Sequence, residues 1–544
     1  MSQSFVDYCQ TNSFSKFICD YLNSHVLKDL YGSYPNIKNI QEHAPSILNS
    51  YNQEKRMVLV EELYKQHQHL TPSKKTREHL KWLERKNTVT ITTGHQLCLM
   101  LGPLYTLYKI VSILKLCNIL NESSDSIRYV PIFWMASEDH DFEEISFFEY
   151  QGIKFKWEKE TQGFTGELDL SGLKMVLDLF QSQLGESVNA RHLNKIIEKA
   201  YQAHQNLSDA TRFLLHELFG KYGLIILDAN NRNLKKLFIP QMKQELFEGE
   251  CKRGVDNTIQ KVKEIYDSKH KPQVNPRDIN LFYKGKNSRH RIIKQKSVFQ
   301  LVDLDNAWTE NEILDELATN PEKFSPNVLT RCLYQQVILP NVTYIGGAAE
   351  VAYWLQLIDY FKNQNMVFPK LVLRNSALLI TDKQSKKLHQ FKLGDSDLFL
   401  HRNILINKHI RAISNIDLSL EELKKQLENQ FSFLNELVMQ TDKSFHGAVQ
   451  AQKKKQLKGI KKLEKRLLKA QRRKLESHVK RLTLLHEELF PGELLQERKV
   501  NFSQFFLLYG FEFIDQLMDS FDPLGKKWTI LRLNSLSMAK NHLN

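Results

Sequence analysis

The sequence has few cysteines, few prolines and glycines, and no long uninterrupted apolar run. Its 544 residues include 6 Cys, 14 Pro and 21 Gly, and 42% of them are hydrophobic. This composition excludes extensive disorder, because the chain has enough apolar residues to bury several cores. The usual size of globular domains divides a chain of this length into about three or four units.

The cysteines and the N-terminus argue against secreted and membrane-spanning classes. The cysteines, at positions 9, 19, 98, 117, 251 and 332, have no C-x-x-C or zinc-type spacing, and we expect reduced, mostly buried thiols. The opening residues MSQSFVDYCQ lack the pattern of a secretory signal. The most apolar stretch, 97–120, is interrupted by Gly102-Pro103, Lys109 and Lys115. We therefore expect a cytoplasmic protein without membrane contact.

Positive charge is concentrated in one segment. Residues 450–481 contain fourteen Lys or Arg and two Glu, a local charge of +12 within a total of +14. This segment lacks the interleaved aromatic residues on which bases stack, so contact with nucleic acid would be phosphate-driven and salt-dependent. We expect weak, nonspecific nucleic-acid binding at most.

Hydrophobic patterning predicts an α/β fold with a parallel sheet. A β-branched run at 88–93 predicts a strand, the periodicity up to Asn118 predicts a helix, and 129–136 predicts a second strand. Further strands are predicted at 223–228, 342–345 and 371–373. Residues 417–489 lack proline and repeat leucine at seven-residue spacing, which predicts a coiled coil. Its register breaks near Phe445–Gly459, so two antiparallel helices and one interrupted helix are both open.

These patterns also predict the order of the parts along the chain. They are an N-terminal helical layer (1–86), the first half of the core (87–150), an inserted subdomain (151–215), the second half of the core with an inserted hairpin region (216–415), the coiled-coil arm (416–490) and a C-terminal segment that packs on the core (491–544).

Polar clusters follow the first two predicted strands. Thr93-Gly94-His95-Gln96 comes after the first strand, and Ser137-Glu138-Asp139-His140-Asp141 comes after the second. Ligands of parallel sheets bind beyond the carboxyl ends of the strands, so we expect both clusters to open onto one crevice. A turn at Thr93–His95 would offer amide groups to a phosphate or carboxylate. The alternative is a tight turn with a capping threonine.

The second cluster brings three carboxylates and an imidazole together. Such crowding raises some carboxylate pKa values and favours cation binding or proton transfer. Asp139 and His140 are the preferred catalytic pair, with Glu138 and His95 beside them. Carboxylate oxygens also suit Mg²⁺, whereas Zn²⁺ would need more His or Cys ligands. The alternative is an acidic helix N-terminus with Glu143 and Glu144 in its first turn.

Five segments resemble the bacillithiol-biosynthesis cysteine-adding family. They are Thr93–Gln96 with Gly102-Pro103-Leu104-Tyr105-Thr106 and Lys109; Val130–Trp134 with Ser137–Glu144; Gly346–Tyr353; Pro369–Asn375; and Leu495–Arg498. The resemblance runs from about residue 88 to the C-terminus. The chain departs from the family pattern at His95, where glutamine is common, and at Gly347-Ala348, which replaces Pro-Gly.

The resemblance implies a ligase that joins L-cysteine to glucosaminyl malate, giving bacillithiol. It implies a Rossmann-like core similar to that of class I aminoacyl-tRNA synthetases, inserted subdomains, and a coiled coil used for homodimerisation. ATP is the expected co-substrate, with Mg²⁺ as its companion and no tightly bound prosthetic group. The segment Lys383–Lys386 resembles the loop that holds ATP phosphates in those synthetases. Within the acid cluster, a carboxylate would hold the cysteine ammonium or accept its proton.

The remaining candidates are substrate- or nucleotide-binding residues. A kink at Gly102-Pro103 would let Lys109 reach a ligand anion, Gly346 would allow close backbone approach, and Arg374 with Asn375 would grip a carboxylate. The full set is Thr93, Gly94, Gln96, Gly102, Pro103, Tyr105, Thr106, Lys109, Trp134, Asp141, Gly346, Glu350, Tyr353, Arg374 and Asn375. Gln496-Glu497-Arg498 has an alternative structural role in linking the arm to the core.

Two other functions stay open from the sequence alone. One is a class I-like nucleotidylyltransferase or amino-acid ligase that acts on a different substrate. The other is a nucleic-acid-binding protein that uses the basic coiled coil. Cys98 and Cys117 lie on an apolar helical segment without a positioned base, so burial is the expected role for both.

Overall fold

A computed structural model describes residues 2–32, 34–267, 270–440 and 444–533. The chain forms two compact units. The first contains Met1–Leu378 and Gln496–Asn544, and the second contains Leu379–Leu495. None of the helices in the described ranges is long and apolar enough to cross a membrane.

The strands in the described residues are β1 (Ser2–Asp7), β2 (Thr88–His95), β3 (Arg128–Met135), β4 (Phe147–Tyr150), β5 (Ile153–Lys156), β6 (Ile225–Asp228), β7 (Leu281–Lys284), β8 (Arg289–Gln295), β9 (Val298–Leu301), β10 (Ala307–Trp308), β11 (Phe324–Pro326), β12 (Asn341–Gly346), β13 (Lys370–Leu373), β14 (Ala377–Ile380) and β15 (Lys527–Arg532).

The helices of the first unit are α1 (Lys16–Asn23), α2 (Lys28–Tyr31), α3 (Ile37–Ser50), α4 (Gln53–His67), α5 (Lys74–Leu83), α6 (Tyr105–Glu122), α7 (Phe142–Ile145), α8 (Leu173–Ser182), α9 (Val188–Gln202), α10 (Leu207–Phe219), α11 (Arg232–Lys236), α12 (Ile239–Glu248), α13 (Glu250–Ile265), α14 (Glu310–Thr319), α15 (Thr330–Ile338), α16 (Ala348–Leu355), α17 (Ile358–Asn363), α23 (Ser503–Tyr509) and α24 (Glu512–Ser520). Those of the second unit are α18 (Asp382–Phe391), α19 (Arg402–Ile413), α20 (Glu421–Val438), α21 (Ser444–Lys474) and α22 (Glu476–Leu489).

A five-stranded parallel sheet forms the centre of the first unit, in the order β13-β12-β2-β3-β6. β2 and β3 are buried over almost their whole length, as expected for parallel strands covered on both faces. Helix α6 packs against both strands. The predicted α/β class with a Rossmann-like parallel sheet is confirmed.

β2 is longer than predicted and includes the residues assigned to a turn. It pairs with β3 from Thr88↔Arg128 to His95↔Met135, so Thr93, Gly94 and His95 belong to the strand. The prediction of a strand-to-helix turn at Thr93–His95 is therefore wrong. Helix α6 starts only at Tyr105, after a segment in which Gly102 has a φ of 63°, which suits glycine.

Two sheets separate from the central one contain more strand structure than the sequence indicated. The alternating stretch from Phe282 to Val302 is part of a five-stranded sheet in the order β10-β9-β8-β7-β11. At the N-terminus, residues 2–7 form a strand ahead of the helical layer, because they pair antiparallel with β15 near the other end of the chain.

The second unit is helical. Val438 and Val449 lie in one small apolar cluster with Phe431, and Lys424 on α20 contacts Glu464 on α21 at 2.9 Å, so these helices run antiparallel. Of the two coiled-coil interpretations, the antiparallel one is confirmed. The predicted break at Phe445–Gly459 is wrong, since α21 is continuous from Ser444 to Lys474.

Two other expectations need correction. Lys383–Lys386 lies inside α18 and forms no loop, because Thr381 caps that helix and Gln384 completes a capping box. Cys9 and Cys19 are joined as a disulfide, whereas Cys98, Cys117, Cys251 and Cys332 are buried free thiols as expected.

Candidate active site

A cavity of about 870 Å³ opens at the carboxyl ends of β2, β3, β12 and β13 in the first unit. Eleven of the nineteen candidate residues line it: Gly94, His95, Gln96, Tyr105, Lys109, Trp134, Glu138, Asp139, Glu350, Tyr353 and Arg374. His95 and Asp139, which come from neighbouring strand ends, face the same space. The sheet therefore brings the two polar clusters together as expected.

The other eight candidates do not line this cavity: Thr93, Gly102, Pro103, Thr106, His140, Asp141, Gly346 and Asn375. Thr93 and Thr106 are buried, and Pro103 bridges to Asn501. Asn375 binds Ser112 and the carbonyl of Asp522. His140 and Asp141 line a separate cavity of about 590 Å³.

Asp139 and Glu144 form an acidic end of the cavity, bridged by an amide. Nε2 of Gln96 donates to Oδ2 of Asp139 at 2.7 Å and to Oε2 of Glu144 at 2.8 Å. The backbone N–H of His140 donates to Oδ1 of Asp139 at 2.8 Å. Together these bonds fix the Asp139 carboxylate at the cavity wall.

The Asp139 carboxylate is held in its ionised form. Burial alone raises the pKa of Asp139, but hydrogen bonds from His140 and Gln96 outweigh burial. The guanidinium of Arg289 acts in the same direction, so the pKa of Asp139 lies well below its usual range. The expectation that crowding raises carboxylate pKa values is thus wrong for Asp139, because its neighbours are donors and a cation.

Glu138 is paired with a lysine from a distant part of the chain. The Lys235 ammonium, fully buried on α11, donates to the Glu138 carboxylate and to the carbonyl of Phe324 at 2.7 Å. The Glu138 side chain is 12% exposed. Glu138 is therefore engaged within the wall.

His95 lies at the floor of the site in an apolar and cationic environment. Burial lowers the pKa of His95 to about 3, and the nearby Lys109 ammonium contributes. Its ring meets that of Tyr105 edge-on at 5.2 Å between centroids. His95 is thus a neutral hydrogen-bonding group at physiological pH and a weak base.

Lys109 is held by partners within the chain. Nζ of Lys109 lies 2.6 Å from Oε2 of Glu350 and donates to the carbonyl of Gly94 at 2.9 Å. Glu350 also accepts from the Tyr344 hydroxyl at 2.7 Å and from the Gly347 amide at 2.8 Å. Lys109 therefore lines the cavity with its charge already paired, and its contact with a ligand anion stays a prediction.

Arg374 grips a carboxylate, as its position suggested, but the carboxylate belongs to Glu497. Nη2 and Nη1 of Arg374 lie 2.7 Å and 3.1 Å from the two oxygens of Glu497, and both side chains are buried. This bidentate pair ties β13 to the segment after the second unit. Glu497 thus has a structural role within the first unit, and a link between the arm and the core stays a prediction.

The cavity wall also contains polar residues that were not among the candidates, including Arg277, Arg289, Asn327 and Arg331. Arg289 is brought in by the inserted sheet, where its Cζ lies 4.1 Å from the Phe282 ring centroid and Nη1 contacts Nδ1 of His140 at 3.2 Å. Arg331 stands on α15, next to the Tyr353 hydroxyl at 3.3 Å. No local motif marks these residues, since only the packing of distant segments brings them to the sheet.

The described residues contain no group of three or more His, Cys, Asp or Glu side chains suited to a metal ion. Among the cavity carboxylates, Glu138 is occupied by Lys235, and both oxygens of Asp139 accept hydrogen bonds. Glu144 is exposed and accepts from Gln96 through one oxygen. A divalent ion here would therefore depend on ligand oxygens and water for most of its coordination.

The fold and the cavity together define a Rossmann-like α/β protein with its site at the strand ends and a helical C-terminal unit. The model of the Bacillithiol biosynthesis BshC N-terminal Rossmann-like domain matches residues 1–375, and that of the BshC C-terminal coiled-coil domain matches residues 377–533. The chain belongs to the bacillithiol biosynthesis BshC family.

Similar proteins span nearly the whole chain. One from Christiangramia forsetii, named "Putative cysteine ligase BshC", is 46% identical over 98% of this chain and 99% of its own length. A protein of the same name from Flavobacterium johnsoniae is 44% identical, with 97% and 99% coverage. A crystal structure described as a putative arginyl tRNA synthetase from Campylobacter jejuni matches with a TM-score of 0.21 and 11% identity. The match covers 76% of this chain and 94% of that chain, and its TM-score is too low to indicate a shared fold.

Proposed function

We propose that this protein joins L-cysteine to glucosaminyl malate in an ATP-dependent amide ligation. The observation that carries the proposal is that one cavity is lined by the carboxylates of Asp139 and Glu144, with the Arg289 guanidinium near Asp139, and, at what we call the guanidinium-rich end, by Arg331 and Arg374. An amino acid with an ammonium group complements the carboxylates, and an anionic sugar conjugate complements the guanidinium-rich end. The family and the names of the relatives support this assignment.

Asp139 is the proposed receptor of the cysteine ammonium. Its carboxylate stays ionised because its pKa lies well below the usual range, and Gln96 holds it beside a second carboxylate, that of Glu144. Such a weak base does not take a proton from an ammonium at neutral pH. Asp139 is therefore proposed to act as a fixed counter-charge for the ammonium, in place of the proton acceptor considered from the sequence.

This role determines which amine reacts. An ammonium held by an ionised carboxylate has no lone pair for attack, so the cysteine amine stays out of the reaction. The nucleophile is then the amino group of the glucosaminyl unit, and the cysteine carboxylate is the group that must be activated. The new amide bond joins the cysteine carbonyl carbon to the sugar nitrogen. That nitrogen keeps one hydrogen and releases its other protons to solvent, and one former carboxylate oxygen departs with the activating group.

ATP supplies the activation in this proposal, as an acyl-adenylate or an acyl phosphate. The cavity volume of about 870 Å³ lies at the upper end of the range of ligand pockets, which suits more than one ligand. Arg277 and Arg498 line the cavity, are exposed, and form no ion pair with any residue in the described ranges, so both are available for phosphate oxygens. Mg²⁺ would be held by ATP and water, with Glu144 as the accessible carboxylate.

The test is a reconstitution with the purified full chain, cysteine, glucosaminyl malate, ATP and Mg²⁺. The expected product has the mass of both substrates less one water, and omission of any component abolishes it. Release of AMP identifies an adenylate, and release of ADP identifies an acyl phosphate. Absence of the product, together with amino-acid-dependent pyrophosphate exchange on another substrate, would support the nucleotidylyltransferase alternative instead.

We also propose a cytoplasmic homodimer that associates through the second unit. Phe433 on α20 and Leu463 on α21 are apolar yet 62% and 55% exposed in the single chain, and burial of such side chains favours association. Sedimentation velocity should give twice the chain mass for the wild type. Leu463→Glu should shift the protein toward monomer, and an unchanged dimer would exclude this surface.

A further inference from the structure

The guanidinium-rich end of the cavity holds more positive than negative charge. Lys109 is neutralised by Glu350 at 2.6 Å, and Arg374 is neutralised by Glu497 at 2.7 Å. Arg331 lies close enough to act electrostatically on Lys109, yet it forms no ion pair with any residue that the structure describes. One guanidinium charge is therefore left without an acidic partner at the cavity wall.

The contacts of Arg331 hold its side chain without neutralising it. Nη1 donates to Oε1 of Gln335 and Nη2 donates to the Tyr353 hydroxyl, both at 3.3 Å. The guanidinium carbon lies 5.8 Å and 6.0 Å from the ring centroids of Trp134 and Tyr344. Because these acceptors are neutral and lie at the long end of the hydrogen-bond range, the positive charge of Arg331 stays largely available for a ligand. An anionic ligand would offset the cost of removing this guanidinium from water.

Arg374 contributes a second donor to the same end. Its two Nη atoms are occupied by Glu497, but its buried Nε has no hydrogen-bond partner within the described part of the chain. A Cβ atom added to Gly347 would lie 3.8 Å from this Nε and 3.3 Å from Oε2 of Glu350. The absence of a side chain at Gly347 thus keeps side-chain atoms away from the position next to this unused donor.

We propose that Arg331, together with Nε of Arg374, binds a carboxylate of the malyl group and makes the enzyme selective for malyl over neutral glucosaminides. This rests on the proposed function. A carboxylate fits better than a triphosphate here, because the amide of Gly347 that would attract phosphate at the start of α16 is already bonded to Glu350 at 2.8 Å. The Glu350 carboxylate would also repel a polyphosphate.

The experiment compares two sugars on two variants. Initial rates are measured with glucosaminyl malate and with methyl glucosaminide, which lacks the carboxylates, for the wild type, Arg331→Gln and Arg85→Gln. Arg85 is exposed, lies outside the cavity, and controls for the loss of one positive charge. Arg331→Gln should raise KM for glucosaminyl malate about 10- to 100-fold, the worth of a charge-assisted contact, and leave KM for methyl glucosaminide within about twofold. Arg85→Gln should change neither.

Direct binding separates this inference from the proposed function. Calorimetry with malate alone should detect binding to the wild type, weaker binding to Gly347→Ala, whose methyl group would occupy the position next to Nε of Arg374, and none to Arg331→Gln. This pattern without any ligase product would support the carboxylate site while refuting the ligase. Equal loss of activity on both sugars, unchanged malate binding in Arg331→Gln, or displacement of malate by tripolyphosphate would overturn the inference. Thermal unfolding of each variant establishes that it is folded.

Discussion

Removal of the Lys235 ammonium should destabilise the first unit in a pH-dependent manner. Lys235→Met removes the ion-pair partner of the Glu138 carboxylate, which is 12% exposed and keeps only the longer-range attraction of Arg289. It also leaves the Phe324 carbonyl without this donor. Breaking a buried pair in this way costs about 3–5 kcal/mol. Since water reaches part of Glu138, we expect about 3 kcal/mol at pH 8.

The pH dependence has a definite sign. In the variant, protonation of Glu138 removes the uncompensated charge, so the folded state binds a proton that the unfolded chain does not hold at the same pH. Folding is then favoured as pH falls, and the loss relative to wild type should be smaller at pH 5.5 than at pH 8. The double variant Glu138→Gln/Lys235→Met, which carries no charge at either position, should recover at least about half of the loss.

Urea unfolding followed by tryptophan fluorescence measures these differences, with the wild type, both single variants and the double variant forming a thermodynamic cycle. A loss below about 1 kcal/mol at pH 8 would refute the buried pair. So would a loss that is equal at the two pH values, because an apolar packing defect is independent of protonation.

The other predictions concern the cavity and the basic segment. Asp139→Asn should raise KM for cysteine about 10- to 100-fold and leave KM for glucosaminyl malate unchanged in steady-state assays, whereas Asp178→Asn, an exposed control on α8, should have no effect. His95 has a pKa of about 3 in the folded chain and about 6.5 when unfolded, so it contributes stability that is lost as pH falls below about 6.5. Between pH 7 and pH 5, the free energy of unfolding of His95→Gln, measured with urea, should therefore fall by about 2 kcal/mol less than that of the wild type. An equal fall in both proteins would contradict the low pKa of His95. Oligonucleotide binding through residues 450–481 should weaken at least about tenfold between 50 and 200 mM salt, and affinity that survives the higher salt would restore the nucleic-acid alternative.

Local patterns in the sequence are sufficient to predict the parallel sheet and the position of much of the candidate site. β-branched runs at 88–93 and 129–136 mark two of the central strands, and the polar residues that follow them must meet because neighbouring parallel strands end at the same edge. The basic segment follows from the local count of charged residues, and its helical period follows from the seven-residue spacing of leucine. These features depend on residues close together in the chain, which is why a pattern can reveal them.

The roles of the charged residues were decided only by tertiary packing. Lys235 meets Glu138 across 97 residues, and no motif indicates that partner. Arg374 meets Glu497 across 123 residues; the segment of Glu497 resembles a family motif, but only the folded chain shows that Glu497 pairs with Arg374. Arg331 reaches the cavity from a helix outside the conspicuous clusters. A pKa depends on burial and on every neighbouring charge, and contacts of such separation arise only when the chain has folded; for that reason the sequence located the site, whereas the structure determined which of its charges are free to bind a ligand.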